Sequence, residues 1–133
     1  NYYNKACEVG EDIEKKGGGF AHIEELLRYY DDSSNSILHK FKLMFDCVNS
    51  LPINERKTKI TKVAKAIAEM SDGDSVASSI GLNCMAFCTN DKAIGAGEKS
   101  IFSDDNIQYL RDTYGFNKLT PTELIEFIEK ETK

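Results

Sequence analysis

The sequence has no tryptophan, only 2 prolines in 133 residues, and no long apolar run. A membrane-spanning helix needs about 18 or more consecutive apolar residues, so no segment of this sequence is expected to cross a membrane. Basic residues are also outnumbered, because 17 Lys and Arg face 22 Asp and Glu, for a net charge of −5. A net-acidic chain lacks the basic footprint that phosphate backbones require, which argues against a nucleic-acid-binding protein.

The sequence does contain a series of helical patterns, and a chain of 133 residues has the length of one domain. Residues 36–50 have the clearest period. Residues 54–70 predict a fourth helix that Asn54 caps and that Asp72-Gly73-Asp74 ends. Its predicted buried stripe consists of Ile60, Val63, Ala64, Ile67 and Met70. Residues 76–88 are apolar nearly all round and predict a fifth helix that its neighbours bury.

Capping signals mark two more helices near the end of the chain. Ser103 predicts one helix start, and Gly115 predicts the end of that helix. The sequence from Thr120 to Glu123 is a capping box with Pro121 at the first helical position. No segment alternates with the period of a strand, and nothing repeats. The sequence therefore predicts a single all-α domain over residues 1–133, a compact bundle of about six or seven helices.

Four cysteines, Cys7, Cys47, Cys84 and Cys88, each fall on a predicted helix. Cys84 and Cys88 are one turn apart on the same predicted helix, where both side chains point the same way and a mutual bridge would close only a very short loop. We therefore expect Cys7 and Cys47 each to form a disulfide with one of Cys84 and Cys88, in an order that stays open. Two such disulfides would staple the bundle at about 2–4 kcal/mol each.

Two alternatives to disulfides stay open. One is a zinc site that adds His22 or His39 to the thiols, although the C-x3-C spacing is less usual than C-x2-C. The other is a set of reduced core thiols in a cytosolic protein. The even cysteine count, the small size and a first residue, Asn1, that is not methionine favour disulfides and hence a secreted, extracellular protein. The chain has no Asn-x-Ser/Thr site, so N-glycosylation lends secretion no support.

Several segments resemble reactive or metal-binding motifs but lack an essential residue. Residues 95–100 resemble part of a phosphate-binding loop, but Glu98 intervenes between the glycine and the lysine. Calcium loops that start at Asp31 or Asp72 would lack the closing glutamate. The carboxylate pairs Glu24-Glu25 and Glu126/Glu129 are explained by solvated helix faces. The sequence therefore predicts a protein that is not an enzyme, with no catalytic residue, metal or cofactor.

The strongest local charge pattern is basic. Arg56, Lys57, Lys59, Lys62 and Lys65 follow one another on the fourth predicted helix, opposite its apolar stripe. We predict that these five residues bind a partner: the acidic patch of a plasma protein, a heparin-like glycan or lipid headgroups. The alternative is an ordinary solvated helix face.

The overall plan resembles small secreted salivary proteins of blood-feeding insects. An acidic, all-helical chain of this size with two disulfides through Cys7, Cys47, Cys84 and Cys88 is similar to the anophensin-type mosquito proteins and to the helical C-terminal domain of the aegyptin-like ones. The acidic glycine-rich region of the aegyptin-like proteins is absent. The resemblance implies a secreted salivary inhibitor that blocks a host haemostasis or complement factor by stoichiometric protein binding, without chemistry.

Two other functions remain open. A small helical carrier, as in the odorant-binding proteins of insects, would hold an apolar ligand between its helices. Those proteins place their C-x3-C pair early in the chain, whereas Cys84 and Cys88 come late. A carrier predicts a closed apolar cavity of at least ~300 Å³. If the cysteines are reduced, the chain would instead be an intracellular helical adaptor.

Overall fold

The computed structural model describes residues 1–30, 36–91 and 100–132, and 71% of these residues are helical. The predicted all-α class is confirmed, with six helices and two short strands among the described residues. The elements are α1 (Tyr2–Lys15), α2 (Ala21–Leu27), α3 (Ile37–Asn49), α4 (Ile53–Gly81), β1 (Phe87–Cys88), α5 (Asp104–Tyr114), β2 (Lys118–Leu119) and α6 (Pro121–Glu131). The two strands pair in parallel. The predictions made for residues 31–35 and 92–99 lie outside the described part.

The helix ends predicted near the C-terminus are confirmed. The Ser103 hydroxyl accepts a hydrogen bond from the backbone N–H of Asn106, as an N-cap should. In the capping box, the Thr120 hydroxyl accepts from the N–H of Glu123, and the Glu123 carboxylate accepts from the N–H of Thr120. Gly115 ends α5 with a φ of 71°, a conformation that glycine adopts without strain. These ends depend on local chemistry alone.

The predicted fourth and fifth helices are in fact the single 29-residue helix α4. It starts after Pro52, and no side chain caps it, so the predicted Asn54 cap is wrong. Gly73 does not end the helix. It is buried, and a Cβ atom at this position would lie 2.7 Å from the Cα of Gly19. Gly73 is therefore present because α4 passes very close to the chain after α1, and not because the helix breaks there.

The C-terminal end of α4 comes seven residues before the predicted one. Asn83 follows it with a φ of 57°, in the left-handed region, and the N–H of Cys84 donates to the carbonyl of Ser79. This is the Schellman arrangement that closes a helix. The helix predicted over residues 76–88 is therefore wrong beyond Gly81. Its predicted burial is wrong as well at Met85, which is 74% exposed.

Two hydrophobic clusters lie along α4. The first joins α1, the C-terminal half of α4 and α5, and consists of Val9, Ile13, Val76, Ala77, Ile101, Phe102, Leu110 and Phe116. The second joins α2, α3 and the N-terminal half of α4, and consists of Ile23, Leu27, Met44, Val48, Val63 and Ala66. One long helix thus supports both parts of the hydrophobic core.

Helices α1 and α4 cross at small side chains. A Cβ atom on Gly81 would lie 2.6 Å from the backbone oxygen of Tyr2 and 2.9 Å from the Cβ of Ala6. At Gly10 there is more room, because an added Cβ would lie 3.9 Å from the Cβ of Ala77. Gly73, Ala77 and Gly81 are spaced by four residues, so they share one side of α4 and form a seam of small residues.

The closeness of this seam can be tested with two glycine-to-alanine substitutions. In a helix interior, alanine is favoured over glycine by about 1 kcal/mol. Gly10→Ala should therefore raise the free energy of unfolding by up to about 1 kcal/mol. Gly73→Ala should lower it by about 1–2 kcal/mol, because its methyl group meets the Gly19 backbone, which must shift. Urea unfolding of both variants is the measurement, and equal stabilisation by the two would contradict the close crossing.

Candidate functional site

The predicted disulfides are not supported. All four cysteines are exposed and unpaired, and no two of them are at bridging distance. The physical reason lies at the end of α4. Because the left-handed Asn83 ends the helix, Cys84 lies in the following turn and Cys88 lies on β1, so the two thiols do not share a helix face. The argument that directed them toward Cys7 and Cys47 therefore does not apply.

The thiol state gives a direct test. Four exposed thiols should all react with an alkylating reagent in the native chain, without denaturant or reductant. The intact mass should then rise by four adducts. A mass that shows no adducts until a reductant is added, and four afterwards, would restore the two disulfides.

Two of the five predicted basic residues make contacts within the protein. The guanidinium of Arg56 donates to the carbonyls of Asn49, at 2.9 Å, and Leu51, at 3.1 Å, so it joins the end of α3 to the start of α4. Lys59 is half-buried, with its ammonium 5.7 Å from the ring centre of Tyr30. Both residues hold α4 to its neighbours and are less available to a partner.

The other three, Lys57, Lys62 and Lys65, are exposed. Within the described ranges none of them forms an ion pair, and no acidic residue occurs on α4 between Glu55 and Glu69. These three lysines do not share one face, because the five residues from Lys57 to Lys62 go about 140° beyond a full turn and the three from Lys62 to Lys65 fall about 60° short of one. The lysines therefore wind partly around the helix.

The predicted buried stripe of α4 is only partly buried. Val63 is buried and Met70 is half-buried, but Ala64 is exposed, and so are Ile60 and Ile67, at 52% and 44%. Ile53, the first residue of α4, is 67% exposed. Spacings of seven residues place the three isoleucines along one exposed edge. We name the set of Ile53, Ile60, Ile67, Lys57, Lys62 and Lys65 the α4 surface.

A second apolar surface lies on α3. Leu38, Phe41 and Phe45 line an open groove of about 690 Å³, whose polar lining includes Lys42 and Asp46. The rings of Phe41 and Phe45 are stacked, with centres 6.2 Å apart. A carrier predicts a closed cavity, and this groove is open to solvent. A hollow between α1 and α5 is more enclosed but holds only about 10 Å³, the space of one water molecule.

An acid and two phenols that the sequence analysis missed join α1 to α5. The hydroxyls of Tyr109 and Tyr114 donate to Oδ2 of Asp12 at 2.5 and 2.7 Å. The Tyr109 hydrogen bond lowers the pKa of Asp12 below its usual range, although burial opposes this. Burial first, and then the Asp12 hydrogen bond, raise the pKa of Tyr114. Lys16 and Lys5 lie over the Tyr109 and Tyr114 rings. The carboxylate therefore stays charged and holds the two helices together.

The lowered pKa of Asp12 has a consequence for stability. Its contribution is fully present above the ordinary aspartate pKa of about 3.9 and is lost as the pH falls through the lower folded-state value. At about pH 7, Asp12→Asn should lower the free energy of unfolding by about 1–2 kcal/mol. The difference from the wild type should shrink toward pH 2, as urea unfolding at both pH values would measure. The exposed Asp46→Asn is the matched control, and a difference that does not vary with pH would contradict this role.

A pair of carboxyl groups, Glu14 and Glu24, lies on the two helices that the glycine turn at residues 17–19 connects. The carboxyl groups of Glu14 and Glu24 are hydrogen-bonded to each other, which requires that they share one proton. This hydrogen bond, followed by burial and by the charges of Glu24 and Glu11, raises the pKa of Glu14 to about 7. The sequence assigned Glu24 to a solvated face with Glu25, whereas its partner in the structure lies on α1.

Comparison with family models, curated proteins and solved structures finds no match to this chain. The resemblance to mosquito salivary proteins therefore stays a prediction. Among the described residues, none of the helices combines the length and the hydropathy that a membrane crossing needs. In the same residues, no three His, Cys, Asp or Glu side chains are arranged to hold a metal ion.

Proposed function

We propose that this protein acts by stoichiometric binding and that the α4 surface contacts its partner. The observation that carries the proposal is the combination, along the N-terminal half of α4, of three exposed isoleucines on one edge and three exposed lysines that form no ion pair with the described part of the chain. Apolar side chains supply contact area, and the lysines attract and orient an anionic partner. Arg56 and Lys59 are not part of this surface. Their contacts with the end of α3 and with Tyr30 hold α4 against its neighbours.

In its specific form, the proposal is that the chain is secreted and inhibits a host haemostasis or complement factor. This form depends on what is left of the plan-level resemblance, namely the acidic composition, the chain length and the helical fold, because the two disulfides are not supported. The acidic chain as a whole would repel an acidic partner, so the α4 surface is the region where such a partner can approach.

Plasma assays test this form. The wild-type chain should prolong contact-activated clotting or reduce complement haemolysis at a concentration equal to that of the inhibited factor. The variant Lys57→Glu/Lys62→Glu/Lys65→Glu should lose roughly tenfold or more in potency, and most at low salt, because the lysines speed association. The control variant Lys15→Glu/Lys42→Glu/Lys130→Glu has the same net charge and should keep its potency. A wild-type chain without effect in either assay contradicts host-factor inhibition.

A second candidate function is an intracellular helical adaptor. The four exposed, unpaired cysteines favour it, because reduced thiols are the rule in the cytosol and structural disulfides the rule outside it. The adaptor would use the same α4 surface, so the two candidates differ in compartment and not in contact site. The thiol state of the protein purified from its natural source distinguishes the two candidates. Four free thiols support the adaptor, and two disulfides support the secreted inhibitor.

A further inference from the structure

Helix α6 is amphipathic but has no buried residue. It packs chiefly against β2, and only Leu124 and Phe127 are half-buried. Ile125 and Ile128, on its other apolar side, are 58% and 51% exposed. Since a helix of this length is marginal without tertiary packing, an uncovered apolar side on α6 indicates that a further contact stabilises it.

Acidic residues border this uncovered side. Glu126 and Glu129 directly follow Ile125 and Ile128, and both are exposed. Neither forms an ion pair with the part of the chain that the structure describes. We name these four residues the α6 edge. It has the same construction as the α4 surface, with exposed isoleucines beside unpaired charges, but its charges have the opposite sign.

The α6 edge does not cover the α4 surface of its own chain, because the isoleucines of both are exposed. Pairing of β1 with β2 holds the start of α6 near the chain that leaves the C-terminal end of α4. Ile60 lies about 30 Å from that end along the helix axis, at about 1.5 Å per residue, while α6 is only about 16 Å long. A contact between the two surfaces must therefore join two copies.

We propose that this protein forms a two-fold dimer in which the α6 edge of each copy docks on the α4 surface of the other. The isoleucines of the two helices pack together, Glu126 and Glu129 lie near Lys57, which is one turn from Ile60, and Lys65 adds its charge from farther round α4. Each 16 Å helix covers the stretch of α4 that holds Ile60 and Ile67, which are about 10 Å apart along the axis. The two-fold axis uses the contact twice, which doubles the area toward the roughly 1,200–2,000 Å² that stable interfaces bury.

This inference rests on the proposed function, because it takes the α4 surface to be a contact surface. It adds the chemistry of the partner, namely an acidic amphipathic helix, and a consequence for regulation. A dimer covers the α4 surface, so an external partner must compete with α6 for it.

Charge reversal and mixing of full-length chains test the dimer by sedimentation velocity. The wild type should be dimeric, and the dimer should weaken as salt is added. Glu126→Lys/Glu129→Lys and Lys57→Glu/Lys65→Glu should each dimerise roughly tenfold or more weakly, because like charges then meet at both contacts. Mixed together, the two variants should form a heterodimer, because both contacts then join opposite charges again. The control Lys15→Glu/Lys42→Glu should dimerise like the wild type, and circular dichroism should show unchanged helicity in every variant.

Each outcome decides the proposal. A wild type that stays monomeric across a roughly hundredfold range of concentration overturns it, as do reversed variants that remain dimers or fail to pair when mixed. If the chain is monomeric and yet loses plasma activity on reversal of Lys57, Lys62 and Lys65, the dimer fails and the proposed function stands. If it dimerises as described but is inactive in plasma, host-factor inhibition fails and the dimer stands.

Discussion

The close crossing of α1 and α4 is the contact on which the rest of the fold depends. Gly81 of α4 lies against the backbone of α1, and Gly73 lies against Gly19 in the turn after α1, both so closely that a methyl group would collide with main-chain atoms. This approach brings Val9 and Ile13 against Val76 and buries the first hydrophobic cluster. It also fixes where the glycine turn after α1 lies, and therefore where α2 begins its packing on the other half of α4. A single long helix can serve two clusters only because this crossing holds it in place.

Features set by neighbouring residues were predictable from the sequence, and features set by distant ones were not. The Ser103 cap, the capping box at Thr120 and the glycine end of α5 all depend on bonds within a few residues, so their sequence patterns are reliable. A glycine such as Gly73 is typical of a helix end. Here it lies inside the helix and allows close contact with Gly19, which is 54 positions away in the chain. Asn83 ended α4 through a left-handed φ that glycine adopts more readily.

The candidate site shows the same division. The basic residues of α4 are visible in the sequence. Their partners are not, because the carbonyl that accepts from Arg56 and the ring that contacts Lys59 belong to other parts of the chain. Apolar periodicity identified the isoleucines of α4, yet the pattern alone does not tell which side of a helix a neighbour covers. Asp12 and its two tyrosines are 97 and 102 residues apart in the sequence. No local pattern connects them.

The carboxyl pair of Glu14 and Glu24 links folding of this chain to the proton concentration of its surroundings. In the unfolded chain a glutamate is fully ionised at neutral pH, whereas Glu14 in the folded chain has a pKa of about 7. Folding near neutral pH therefore takes up protons from the buffer at this pair. The heat measured for unfolding will accordingly include the ionisation heat of the buffer. Because the folded-state pKa is raised, this pair favours the folded state in mildly acidic surroundings and opposes it in alkaline ones.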